Sequence, residues 1–171
     1  MDELKSYIRE IPDYPKPGIL FYDISTLLKD PLALRMTVDR FAWLFAEMHV
    51  DQVVGIEARG FMFAPSVAYS LNAGFIPVRK PGKLPGETVR QEYALEYGSD
   101  AVEMHVDAID VGARVLIVDD LLATGGTAAA AAELVSQSGG EVVGCGFIAE
   151  LGFLEGRSRL EGHAVESLIQ Y

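Results

Sequence analysis

The chain has 171 residues, half of them hydrophobic, and a net charge of −11, a size and composition that fit one domain with a sizeable core over residues 1–171. The acidic balance speaks against non-specific nucleic-acid binding, which rests on many Lys and Arg contacts to phosphates. No apolar run approaches the roughly 20 residues of a membrane span, and the start, MDELKSYIRE, is charged and amphipathic, unlike a secretion signal, so a cytoplasmic protein with no membrane partner is expected.

Pro12, Pro15, Pro17 and Gly18 break up the early chain, and GILFYDIS reads as a short extended piece. A helix is predicted after Asp30, with Pro31 at its first position and Leu34, Val38, Phe41, Phe45 and Met48 at helical spacing. DQVVGIEARG then reads as a buried strand ending in a polar turn, RGFMFAPSVAYSLN as a helix and AGFIPVRK as the next strand. KPGKLPGETV carries closely spaced breakers, so a mobile loop is expected over about residues 80–93. EYALEYGSDAVEMHVDAI supplies two strands around Gly98, ARVLIVDD a buried strand, GGTAAAAAELVSQSGG a helix, and EVVGCGFIAEL and HAVESLIQY the last strands. Cys145, the single cysteine, reads as a small buried hydrophobe. Strands that are continuous apolar runs alternating with helices predict an α/β fold, a mainly parallel twisted sheet covered on both faces. Ligands of such sheets bind beyond the carboxyl ends of the strands, where the EARG, RKPGK and DDLLATGG turns fall.

Two of these turns carry chemistry. From Ala58 to Gly86 there is no Asp or Glu, while Arg59, Arg79, Lys80 and Lys83 are all basic, which points to a local anion site. In RVLIVDDLLATGGT, Asp119 and Asp120 should start out toward opposite sides of the sheet, a poor arrangement for a paired acid and base but a good one for sugar hydroxyls or a cation. Gly125 and Gly126 allow a tight turn with exposed amides, and Thr124 and Thr127 add hydroxyls before a helix begins. Neither GxxxxGK[ST] nor GxGxxG occurs. Carboxylates for hydroxyls beside amides for a phosphate without a lysine describe a ribose 5-phosphate.

VLIVDDLLATGGT closely resembles the phosphoribosyl-pyrophosphate motif of the type I phosphoribosyltransferases. YPKPGILFYDISTLLKDP, EARGFMFAPSVA, VRKPGKLPGETV, YALEYGSD and SLIQY extend the resemblance over almost the whole chain, toward the members that act on adenine. The resemblance implies Mg2+-dependent transfer of the phosphoribosyl group of phosphoribosyl pyrophosphate to adenine, giving AMP and pyrophosphate. It also implies a homodimer, and a small N-terminal hood over about residues 1–30 that covers the base. Matched motif by motif, Asp119 and Asp120 would hold the ribose hydroxyls and Ala123, Thr124, Gly125, Gly126 and Thr127 the 5-phosphate. Arg59 and Gly60 would form the pyrophosphate loop, with Arg59 acting on the leaving group and Arg79, Lys80 and Lys83 adding charge. Phe21 would stack on adenine within FYDIS, where Tyr22 and Ile24 also border the base. Tyr22 is a departure, since many relatives carry Arg there. Glu96 matches the position proposed to manage the base's proton, with Tyr97 beside it. The metal would be held mainly through substrate. Two other readings stay open: transfer to another purine or to orotate, and a non-catalytic regulator that senses phosphoribosyl pyrophosphate.

Overall fold

The computed structural model describes residues 3–94 and 98–171. Its centre is a five-stranded sheet in the order β4 (Gly74–Val78), β3 (Gln52–Ile56), β7 (Arg114–Leu122), β8 (Glu141–Glu150) and β9 (Val165–Gln170), with every neighbouring pair parallel. The parallel sheet expected from the apolar runs is therefore present, and it is buried on both faces because side chains alternate along each run. Val53, Leu116, Val118 and Ile148 face one core with Phe41, Phe45, Phe63 and Val67. Val54, Val115, Ile117, Cys145 and Phe147 face the other, with Ala130, Ala131, Leu134 and Val135.

On the first face lie α1 (Ser25–Lys29), α2 (Pro31–Phe45) and α3 (Ala64–Ser70). α2 begins where the sequence places it: Asp30 Oδ1 accepts from the Leu32 and Ala33 amides at 2.9 Å each, and Pro31 fills the first helical position. The helix ends at Phe45, and Met48 belongs to a following 3-10 turn. On the second face is α4 (Gly126–Gln137), whose Ala128, Ala130, Ala131 and Ala132 are buried against the sheet, so the alanine run marks close helix–sheet packing.

Two smaller sheets flank the carboxyl ends. β1 (Arg9–Pro12) pairs antiparallel with β2 (Leu20–Asp23), placing Glu10 opposite Tyr22 and Ile11 opposite Phe21. The sequence marked only the second of these strands, because Pro12 at the end of the first and Pro15 and Pro17 just after it masked its pattern. β5 (Thr88–Ala94) pairs antiparallel with β6 (Ser99–His105). The segment read as a loop over 80–93 is thus irregular only as far as Glu87. From Thr88 onward its amides and carbonyls are paired in a ladder that the alternating TVRQEYA permits.

Replacing the α2 cap, Asp30→Ala, leaves two amides unpaired. The expected cost is about 1 kcal/mol, a fall in Tm of about 2–4 °C, read by thermal unfolding.

Candidate functional site

β7 does not stop at its acids. It runs two residues further, to Leu122, and then turns through 123–125 into α4. Gly125 has φ +78°, a left-handed conformation that glycine adopts without steric cost. No side chain caps the first amides of α4, so the helix presents N–H groups and its partial positive end to whatever occupies the turn. A cavity of about 80 Å³ sits there, lined by Asp119 and residues 121–128. A larger concavity of about 630 Å³ lies away from it, between Ser6–Arg9 and Thr26–Pro31, and brings together no comparable set of carboxylates and amides.

The two carboxylates part. Asp119 lines the turn cavity, and its Oδ1 accepts from the Asp120 amide at 2.9 Å. Asp120, only 4% exposed, puts Oδ2 3.0 Å from Arg59 Nε. Burial and the adjacent Asp120 charge hold the Asp119 carboxyl well above its usual pKa range. Burial pushes Asp120 the same way, with the Arg59 charge opposing it. Asp120 Oδ2 and Arg59 Nη1 are both buried without an aligned hydrogen-bond partner among the described residues, an uncommon state for buried polar atoms and one that a polar ligand would resolve. Gly60 fits the same corner: a β-carbon there would lie 3.0 Å from both Asp119 Oδ1 and the Val118 carbonyl oxygen. The Arg59–Gly60 turn can approach the end of β7 only because that carbon is missing.

Arg59 also meets the N-terminal unit. Its guanidinium carbon is 5.1 Å from the centre of the Phe21 ring, within cation–π range, and the Tyr14 ring meets Phe21 edge-on with centroids 5.1 Å apart. Tyr22 points the other way, as strand alternation requires. It is 9% exposed and its ring lies 3.9 Å from that of Tyr171. Ile24 is buried in the core, leaving only its backbone for a ligand. Of these three residues, only Phe21 brings its side chain to Arg59.

Three of the four basic residues of the acid-free interval, Arg59, Arg79 and Lys80, are paired with acids. Arg79 forms a two-pronged pair with Glu57, at 3.2 and 2.9 Å, and Glu57 also accepts from the Lys80 amide at 3.0 Å. These bonds, Arg79 foremost, hold Glu57 below its usual pKa despite its burial. Lys80 Nζ donates to Tyr93 Oη at 2.7 Å and makes a short ion pair with Asp100. Burial works against its charge, but these partners outweigh it and raise its pKa. Arg79 Nη1 donates to the Lys83 carbonyl at 3.0 Å. Lys83 has no ion-pair partner among the described residues. Glu96 and Tyr97, expected beside the base, lie outside the described residues.

Sequence reasoning missed Glu57, Tyr93 and Asp100. Glu57 stands immediately before the acid-free interval, which was the available signal. Tyr93 and Asp100 are direct partners in the β5–β6 register, a pairing readable from the turn at Gly98 once both strands are recognised.

Carboxylates, an arginine turn and an uncapped helix start, gathered at the carboxyl ends of a parallel sheet, define an α/β domain built to take a phosphorylated sugar. The phosphoribosyl transferase domain family matches residues 24–166. Over its whole length the chain is 64% identical to the adenine phosphoribosyltransferase of Solibacter usitatus, covering 99% of that protein. The crystal structure of adenine phosphoribosyltransferase from Thermoanaerobacter pseudethanolicus superposes with a TM-score of 0.97 at 51% identity, covering 99% of each chain. That from Saccharomyces cerevisiae, complexed with an imino-altritol bisphosphate and adenine, superposes at 0.93 with 44% identity, covering 98% of this chain and 97% of its own. The chain belongs to the phosphoribosyl transferase domain family, among its adenine phosphoribosyltransferases.

The raised Asp119 pKa carries a stability consequence. A carboxyl whose folded pKa exceeds its unfolded value costs stability as pH rises through the two values, and the full cost stays above the folded one. Asp119→Asn keeps an acceptor for the Asp120 amide and removes the charge. Its Tm should exceed wild type by about 2–4 °C at pH 7.5, with the gain absent in acid where Asp119 is neutral. An unchanged Tm at both pH values would mean that Arg59 already compensates the charge.

Proposed function

We infer that this chain transfers the 5-phosphoribosyl group of phosphoribosyl pyrophosphate to adenine, releasing pyrophosphate and forming AMP, a reaction of purine salvage. The observation that carries the reading is the convergence on Arg59: the buried Asp120 carboxylate, ion-paired with it but without an aligned hydrogen bond at Oδ2, lies 3.0 Å to one side and the Phe21 ring 5.1 Å to another, near a helix start that no side chain caps. A sugar, a base and a phosphate each have a matching surface there. The relatives named above support adenine as the base.

In this reading the turn from Ala123 to Thr127 takes the 5-phosphate on its amides and the Thr124 and Thr127 hydroxyls. Asp119 and Asp120 accept hydrogen bonds from the ribose hydroxyls. Phe21 stacks on adenine, while Tyr22 and Ile24 fix the strand that carries it, leaving their backbone to border the base. A ring nitrogen of adenine attacks the anomeric carbon as the bond to pyrophosphate breaks, so positive charge grows on the sugar and negative charge on the leaving group. Arg59 and the Gly60 amide face that leaving group, with Arg79, Lys80 and Lys83 on its far side. Glu96, with Tyr97 beside it, manages the proton of the base.

The residues fit a metal that arrives with substrate. Among the described residues no three His, Cys, Asp or Glu side chains converge as a ready-made cluster, and the carboxylates bordering the site are Asp119 and Asp120. Mg2+ held mainly on substrate oxygens supplies neutralisation of the departing pyrophosphate. The N-terminal segment, as far as it is described (residues 3–30), forms the hood over the base within a single domain. The segment from Lys80 to Glu87, and the hairpin it leads into, closes over the reactants and keeps water out. The working protein is a cytoplasmic homodimer that binds no nucleic acid. The exposed Met62, three residues after Arg59, and the exposed Tyr69 of α3 are apolar surface that a second copy would cover. Among the described residues no helix is long and apolar enough to cross a membrane.

The test is to supply the purified protein with Mg2+, phosphoribosyl pyrophosphate and, separately, adenine, hypoxanthine, guanine, xanthine and orotate, and to measure nucleotide and pyrophosphate together. Equal yields of AMP and pyrophosphate, with strong preference for adenine, are expected. Asp120→Asn should lower kcat/KM by about 100-fold or more with the fold retained. Transfer to a different base would overturn the role of the hood, and no transfer at all would favour a regulator.

A further inference from the structure

Of the buried carboxylates outside the machinery described so far, Glu103 and Glu150, the second is the more buried. Glu150, the last residue of β8, is 5% exposed and fully occupied. Arg157 Nε donates to its Oε1 at 2.7 Å and Nη2 to its Oε2 at 2.8 Å, and Ser167 Oγ, from β9, donates to Oε2 at 2.7 Å. The remaining arm of Arg157, Nη1, donates to the Val165 carbonyl at 2.8 Å. Two strand ends and the 3-10 segment Gly156–Leu160 are thus tied at one point.

That segment backs the candidate phosphate turn. A β-carbon on Gly156 would lie 2.2 Å from the Ala123 carbonyl oxygen, and one on Gly125 would lie 2.4 Å from the Gly156 carbonyl oxygen. The two backbones touch with no space for a side chain between them. The Leu151 amide donates to the Leu122 carbonyl at 2.9 Å, fixing the end of β7 just before the turn. A buried ion pair is a poor device for stability alone, since apolar residues of similar volume often serve as well. The planar fork of Arg157 does what they cannot: it sets a direction as well as a contact.

We propose that Glu150, Arg157 and Ser167 are positioning residues for the 5-phosphate turn, pressing Gly156 against Ala123 and Gly125 so that the amides at the start of α4 hold one arrangement. The proposal rests on the phosphoribosyltransferase reading, and none of the three residues touches the reacting atoms. Its signature is therefore selective: affinity for the phosphate-bearing substrate changes while handling of the base does not.

The experiment compares wild type with Arg157→Gln, Arg157→Lys and Gly156→Ala, measuring AMP binding by calorimetry and the KM of each substrate, with Tm as a check on folding. For Arg157→Gln and Gly156→Ala, the AMP Kd and the KM for phosphoribosyl pyrophosphate should rise about tenfold, with the KM for adenine within twofold of wild type. Arg157→Lys, which keeps the charge but loses the fork, should fall between. If Arg157→Gln does not fold, the neutral pair Glu150→Gln with Arg157→Gln replaces it, and Gly156→Ala tests the backbone contact independently. Variants that bind AMP as wild type does, or that weaken both substrates equally, overturn the proposal while leaving the transferase reading in place. A wild type that transfers nothing and does not bind AMP overturns both.

Discussion

Asp119 and Asp120 sit near the end of a largely apolar strand, where two like charges are close together and poorly hydrated, and the neighbouring residues are arranged around that difficulty. Arg59 is brought to 3.0 Å of Asp120, Gly60 gives up a side chain so that the turn can reach the strand, and the first turn of α4 presents its positive end nearby. Even so, burial first and the neighbouring Asp120 charge second hold the Asp119 carboxyl above its usual pKa range. The corner is left with buried polar atoms that have no aligned hydrogen bond among the described residues, and a ligand rich in hydroxyls can supply one. Stability is given up where binding is wanted.

The same economy governs the positive side. The basic residues from Arg59 to Lys80 are each matched by an acid from outside the acid-free interval: Asp120 for Arg59, Glu57 for Arg79 and Asp100 for Lys80. Without a ligand, a field of unopposed cations would repel itself. Glu57, Asp100 and Asp120 keep the cations close, and an arriving pyrophosphate would compete with carboxylates already in place. Discrimination between anions then depends on geometry as well as on net charge.

Much of this was legible in the sequence, and the rest was hidden for identifiable reasons. The runs QVVGI, RVLIVDD and EVVGCGFIAE show a doubly covered sheet because burial on both faces removes polar residues from both sets of alternate positions. DDLLATGGT shows its ligand class because few structural needs call for acids, glycines and threonines in that order. β1 escaped because Pro12, which an edge strand tolerates, and the prolines that follow it obscure the strand. The partners of Arg79 and Lys80 escaped because they depend on strand register and on contacts between segments distant in the chain, which no local pattern records. Glu150 and Arg157 are only seven residues apart, yet their meaning comes from Gly156 lying against Gly125, a contact visible only in three dimensions.

Phe21 and Tyr22 are neighbours of nearly the same shape with opposite destinations, one at Arg59 and the other against Tyr171. What separates them is parity along β2, fixed by the pairing of Ile11 with Phe21 and Glu10 with Tyr22. A slip of one residue in that short ribbon would exchange the two rings, placing a phenol at the arginine and leaving a phenyl ring in the core. The identity of the ring at Arg59 is therefore written in the length of the loop between β1 and β2, so a single insertion or deletion there is more disruptive than most substitutions of the residues themselves.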